Sequence, residues 1–214
     1  MTIENNLRLP DNVTNFQWSA DYSLLADWEI ERLALMEGMI EPFINHKERM
    51  IDGRPIISRG LSSFGYDISA AKEAQVFIPY PGVRINPKRL DTRLLVEPDW
   101  VTDSDGTWFE LPAHSFALMR TVEYFRMPRN VLAVCLGKST WARCGMILNT
   151  TPFEPGWSGY VTLELSNTTD APAQIFANEG IGQVLFFRGP QPDNDYGKNG
   201  KYQYQNGGIT LPKV

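Results

Sequence analysis

The stretch GYVTLELSN (159–167) decides how the rest of the chain is read. Val161, Leu163 and Leu165 alternate with Thr162, Glu164 and Ser166. Side chains along a strand point alternately to its two faces, so this is a strand with one apolar and one polar face. A carboxylate on such an outer face is usually a solvated one. Alternation alone therefore leaves Glu164 on a wet surface, and chemistry at this position needs further support.

Outward from this strand, the chain after residue 56 keeps the same character. The runs AQVFIPY, SFALMRTVEYF, NVLAVCLG, AQIFA and GQVLFF are rich in Val, Ile, Phe and Tyr, and Pro, Gly, Asn and Asp separate them. Many short strands at this spacing predict a mainly β sandwich or barrel. One helix is predicted, over 23–36 (SLLADWEIERLALM). Leu24, Leu25, Trp28, Leu33 and Leu35 would form its apolar side, Ser23 its cap and Gly38 its end. A length of 214 residues fits one domain. Residues 1–22 read as an N-terminal extension, 23–190 as the core and 191–214 as a polar tail, mobile unless it docks.

Several function classes are disfavoured. A net charge of −5 argues against a broad nucleic-acid surface. No run of eighteen apolar residues predicts a membrane span. The first residues lack a basic start and an apolar centre, so no secretory signal is expected. A cytoplasmic protein with Cys135 and Cys144 reduced and buried is expected. GKST (137–140) resembles the end of a phosphate loop, but position 132 is Leu where that loop needs glycine. His46 and His114 lack the following glutamate, and the two cysteines the spacing, of a zinc deaminase. No G-x-S-x-G elbow is present. Catalysis would rest on carboxylates, Arg, Lys and hydroxyls.

Residues 137–164 hold what remains. Lys138, Ser139, Thr140 and Arg143 place two cations and two hydroxyls within six residues, suited to phosphate oxygens or equally to a solvated loop. A stiff turn, TTPFEPGWSGY, then leads to Glu164. LGKSTWARCGMILNTTPFEPGWSGYVTLELSNTT strongly resembles the central motif of dCTP deaminases. MEGMIEPF (36–43), LSSFGYDI (61–68), EGIGQVLFF (179–187) and GKYQYQNGGITLPK (200–213) extend the likeness over roughly 27–214.

The resemblance implies a dUTPase-like β-barrel or jelly-roll fold with an N-terminal helix and a C-terminal lid. It implies a cytoplasmic homotrimer with sites at subunit interfaces, and Mg2+ carried by the triphosphate with no zinc. The implied reaction turns dCTP into dUTP and ammonia, with dTTP as feedback inhibitor. Glu164 matches the catalytic acid–base glutamate, and Arg143 and Ser139 the groups that hold it and the water. Lys138, Ser139 and Thr140 match the triphosphate run, Lys138 replacing an Arg found in many members. Glu154 matches the group at the sugar hydroxyl, and Thr162 and Leu163 flank the base by backbone and side chain. Gln183 matches a nucleotide contact, and Tyr196, Lys201 and Gln205 the closing segment. Asp67 reads as structural or supporting. The rivals are a dUTPase, a bifunctional deaminase that also releases dUMP, a silent nucleotide-binding regulator, and a deaminase of C5-modified cytosine nucleotides. The loop LNTTPFEPGW and the tail favour deamination over a dUTPase.

Overall fold

The computed structural model describes residues 23–205 and 207–213, so the N-terminal extension 1–22 lies outside the described residues. Helix α1 (Asp27–Glu37) precedes β1 (Ile40–Glu41), β2 (Lys47–Ile51), β3 (Arg54–Ser62), β4 (Gly65–Phe77) and β5 (Leu95–Val96). Then come β6 (Val101–Asp103), β7 (Gly106–Leu111), β8 (Phe116–Arg126), β9 (Val131–Gly137) and the single turn α2 (Ser139–Ala142). Strands β10 (Met146–Asn149), β11 (Ser158–Asn167), β12 (Ala173–Phe176) and β13 (Gly180–Arg188) and a last turn, α3 (Tyr196–Asn199), complete the order. The chain is mainly β, as the sequence predicts. Among the described residues no helix is long and apolar enough to cross a membrane.

The larger sheet runs β10-β11-β8-β4-β13-β9, with β1 on β8, β5 on β4 and the β2–β3 hairpin on β4. A smaller sheet runs β12-β7-β6. The pairs in both are antiparallel. Phe109, Leu111 and Ile175 of the small sheet join Tyr66, Ile68, Met119, Phe125, Leu163 and Phe186 of the large one in a single apolar core. Burying each such side chain contributes about 1.5–3 kcal/mol.

Helix α1 starts later than expected. Ala26, not Ser23, is its N-cap, and the Glu29 carboxylate accepts the Ala26 N–H at 3.1 Å. Gly38 ends it in the left-handed region as expected, with φ 66°. The later start sets the phase: Ile30, Leu33 and Ala34 form the buried stripe, while Trp28 and Leu35 are 63% and 65% exposed. Leu25 is buried ahead of the helix, where its N–H meets the Phe186 carbonyl at 2.8 Å. The cysteines differ from expectation too: both are free, but Cys144 is exposed and only Cys135 is half-buried. Cys144 follows the α2 turn and so lies outside the core.

Behind β11 lies a buried polar buttress. The β8–β11 register shifts between Tyr160 and Thr162, so the ladder is interrupted at Val161. The Thr121 hydroxyl fills the gap, accepting the Val161 N–H at 3.0 Å and donating to the Glu123 carbonyl at 2.7 Å. The Glu123 carboxyl is 2% exposed and accepts the Ser69 N–H at 3.0 and 3.2 Å. Burial pushes its pKa up to about 7, the Ser69 bonds only partly opposing. The unfolded chain ionises this group near 4.5. The folded state therefore holds the proton more tightly, and Glu123 costs stability as pH rises from about 4.5 to about 7. Glu123→Gln should reduce the fall in Tm over that window. Parallel wild-type and variant curves would contradict the assignment.

Candidate active site

The alternation of 159–167 is realised in full: every second residue from Gly159 to Asn167 is buried, and those between are half-buried. Strand β11 lies between β10 and β8, and Glu164 stands opposite Asn149 on one side and Leu118 on the other. Directly opposed residues share a face. Thr162, Glu164, Phe116 and Leu118 thus make a common floor.

That floor is covered. A cavity of about 540 Å³ lies over it. Phe77, Phe116, Leu118 and the segment holding Ile85, Leu90 and Leu95 form an apolar wall. Thr150, Glu154, Thr162, Glu164, Tyr196 and Gln205 supply polar atoms. A concave, mostly apolar site with a few converging polar groups is the usual form of a small-molecule pocket. Glu164 is therefore not the solvated carboxylate that alternation alone implies. Burial raises its pKa to about 7, with its own backbone N–H as the lesser opposing influence. Near neutral pH such a group can both take and give a proton. The neighbouring Cys135 thiol is pushed up to about 11, first by burial and further by Glu164, so it stays protonated.

Of the sequence-predicted residues, Glu154, Thr162, Glu164, Tyr196 and Gln205 line this cavity. Leu163 does not. It is fully buried on the opposite face, as its position next to two outward residues demands, so only its backbone is near the site. Lys138 is turned away as well. Its Nζ lies 2.5 Å from Asp67 Oδ2, which Lys47 Nζ also approaches at 3.2 Å. Gln183 stands across from Asp67 in the β13–β4 pair and donates to the Ser62 hydroxyl at 3.2 Å. Ser139, Thr140 and Arg143 are exposed in and just after α2. Arg143 donates to the Ser139 carbonyl at 3.2 Å. Thr140 lines a second hollow with Trp141 and Cys144. Lys201 donates to the Lys213 carbonyl at 3.1 Å. The candidate residues thus fall into two groups: the cavity with Glu164, and the α2 turn with the lysine–aspartate cluster.

The tail is docked. Tyr160 N–H donates to the Gln205 carbonyl and Tyr204 N–H to the Ser158 carbonyl, each at 2.9 Å. Trp157 Nε1 reaches the Tyr202 carbonyl at 2.8 Å. Arg129 pairs with the buried Asp195, whose carboxyl it holds below its usual pKa, at the base of the tail. Residue 159 is glycine for steric reasons: a Cβ there would lie 2.9 Å from Gln205 N. Sequence reasoning passed over the apolar wall and Tyr202. Phe116 and Leu118 sit in the continuous apolar run FALM, which does not show which face each takes, and 85–95 carries no periodic signal.

The Lys138–Asp67 pair yields a test. Breaking a buried ion pair by removing one partner costs about 3–5 kcal/mol, because the other charge is left uncompensated. Asp67→Ala should lower stability by about that amount in denaturant melts. A change below about 1 kcal/mol would show the lysines finding solvent without it.

Comparison with known proteins follows the same lines. A family model described as dCTP deaminase-like matches residues 28–189. The dCTP deaminase of Acidovorax sp. (strain JS42) is 53% identical over 194 residues, 90% of this chain and 100% of the relative. That of Herpetosiphon aurantiacus is 52% identical over the same shares. A crystal structure of 2′-deoxycytidine 5′-triphosphate deaminase from Agrobacterium tumefaciens aligns with a TM-score of 0.56 at 17% identity, over 79% of this chain and 47% of that one. At that identity the likeness is one of fold.

Proposed function

The chain belongs to the dCTP deaminase-like family, and from that premise we propose that it converts dCTP and water into dUTP and ammonia in the cavity over Glu164. The observation that carries the reading is a half-buried carboxyl group, its pKa raised to about 7 by burial, on the floor of a concave pocket. Ionised Glu164 takes a proton from water as its oxygen bonds to C4 of the cytosine ring, and delivers that proton to N3. Glu164 then takes the proton of the new C4 hydroxyl and passes it to the amino nitrogen, so that the C4–N bond breaks, the C4 carbonyl forms and ammonia leaves. Such acid–base work contributes about 10²–10⁴ in rate. Glu154 lines the same cavity and in this reading meets a sugar hydroxyl, while the apolar wall excludes water from the ring.

Among the described residues no three His, Cys, Asp or Glu side chains gather as a metal-binding cluster. In this reading no protein-bound zinc takes part. Magnesium, in the same reading, arrives with the triphosphate of the nucleotide. Magnesium would neutralise triphosphate charge while the protein positions the base. dTTP shares the sugar and triphosphate and is expected to compete for the site.

The division into two groups supports a shared site. Arg143 and Ser139 are outside the Glu164 cavity of their own chain. In this reading a second copy presents its α2 turn to the cavity, and three copies close the ring. The exposed Leu136 and Ile147 beside α2, at 50% and 56%, offer apolar surface for that contact. Arg143 would then keep Glu164 ionised until it accepts a proton.

Purified protein with dCTP and magnesium should give dUTP and equimolar ammonia, and absence of ammonia would overturn the reading. dUMP with pyrophosphate as the end products would identify the bifunctional form. Glu164→Gln should bind dCTP and lose at least about 10² in kcat. Glu164→Gln and Arg143→Ala should each be inactive alone, yet regain activity when dissociated and reassembled together. Failure of the mixture under conditions that restore reassembled wild type would place both residues in one subunit's site.

A further inference from the structure

Gln203 makes a contact that the proposed chemistry does not use. Its Oε1 accepts the Ser158 N–H and its Nε2 donates to the Gly156 carbonyl, both at 2.8 Å. One side-chain amide thus meets a donor and an acceptor two residues apart, as a peptide group of a neighbouring strand would. The pattern fixes the amide orientation, since a carbonyl oxygen must face the N–H and an NH2 the C=O. Immediately after it the backbone takes over the pairing, with Tyr204 N–H on the Ser158 carbonyl and the Gln205 carbonyl on Tyr160 N–H. Gln205 forms a parallel bridge with Gly159. The tail therefore docks as a turn along the leading edge of β11, and Gln203 is the first rung of that contact.

The register set by that rung reaches the cavity. Gln205 Oε1 accepts the Thr162 hydroxyl at 3.0 Å, and Thr162 and Glu164 are consecutive residues of the same face. Tyr202 lines the cavity, and Tyr196 Oη accepts the Tyr202 N–H at 2.9 Å. Tyr204 stands in the left-handed region, with φ 58°, and the turn it belongs to brings both Tyr202 and Gln205 to the cavity, so a shift of this contact would displace the two together. We propose that Gln203 is a positioning residue for substrate binding: its amide clamps the Gly156–Ser158 turn and so sets the register in which Gln205 and Tyr202 close the pocket. This rests on the deaminase reading for the identity of the substrate. Gln203 itself touches no reacting atom.

The experiment pairs kinetics with amide hydrogen exchange on the full-length protein. Two hydrogen bonds of ordinary net strength convert to about tenfold. Gln203→Ala should raise KM for dCTP by about tenfold with kcat within about threefold. In the ligand-free protein it should also speed exchange at the Tyr160 and Tyr204 amides, while the core amides Leu163 and Leu165 keep theirs. Gln203→Glu keeps the length and the acceptor but loses the donor, and should fall between wild type and Gln203→Ala. Unchanged KM, or unchanged exchange at Tyr160 and Tyr204, would overturn the proposal. So would a fall in kcat at constant KM, which would make Gln203 a participant in the chemistry. If wild type does not turn over dCTP, the deaminase reading fails by itself, and the exchange pattern still decides whether the clamp holds the tail.

Discussion

The site depends on the antiparallel pairing of β11 with β8. That pairing turns Val161, Leu163 and Leu165 into the core and leaves Thr162 and Glu164 beside Leu118 on the opposite face. A one-residue slip would bury the carboxylate in the core and expose three large aliphatic side chains. The apolar half of the strand therefore holds the polar half in place. The Thr121 hydroxyl lets the ladder pass its irregularity at Val161 without leaving that N–H unpaired.

Covering the floor is the second requirement. An open sheet face would leave Glu164 an ordinary surface carboxylate. The segment around Ile85–Leu95 and the docked tail close over it, and the resulting desolvation brings its proton affinity into the physiological range. The tail is polar because its work is done through backbone and amide hydrogen bonds along the edge of β11. The carboxylate and its cover are thus built from one strand and what pairs with it.

Much of this was legible in the sequence, and the reasons differ between elements. The strands were visible because period-two alternation marks β11 and because runs rich in Val, Ile, Phe and Tyr between turn residues mark the others. The phase of α1 was not, because Trp28 and Leu35 are as apolar as the residues that are buried, and only the packing of Ile30, Leu33 and Ala34 into the core selects among them. Glu164, Glu154, Thr162, Tyr196 and Gln205 were found through motif likeness, and the cavity brings them together. Leu163 was misjudged for its side chain, although the alternation around it already sends that side chain inward. The partition of Lys138, Ser139 and Arg143 away from Glu164 was invisible, since proximity along the chain says nothing about which face of the sheet a turn will flank. The wall at 85–95 was hidden because irregular backbone carries no periodicity.

The central claim is that Glu164 is desolvated by its own chain and tuned by Arg143 from another copy. The most direct test follows the Glu164 side-chain carboxyl carbon by ¹³C NMR across pH, assigned by difference from Glu164→Gln, in wild type and in Arg143→Ala. The account predicts titration near 7 in Arg143→Ala, where burial acts alone, and at a clearly lower pH in assembled wild type. Titration near the ordinary value of 4.5 in Arg143→Ala, or the same midpoint in both proteins, would contradict it.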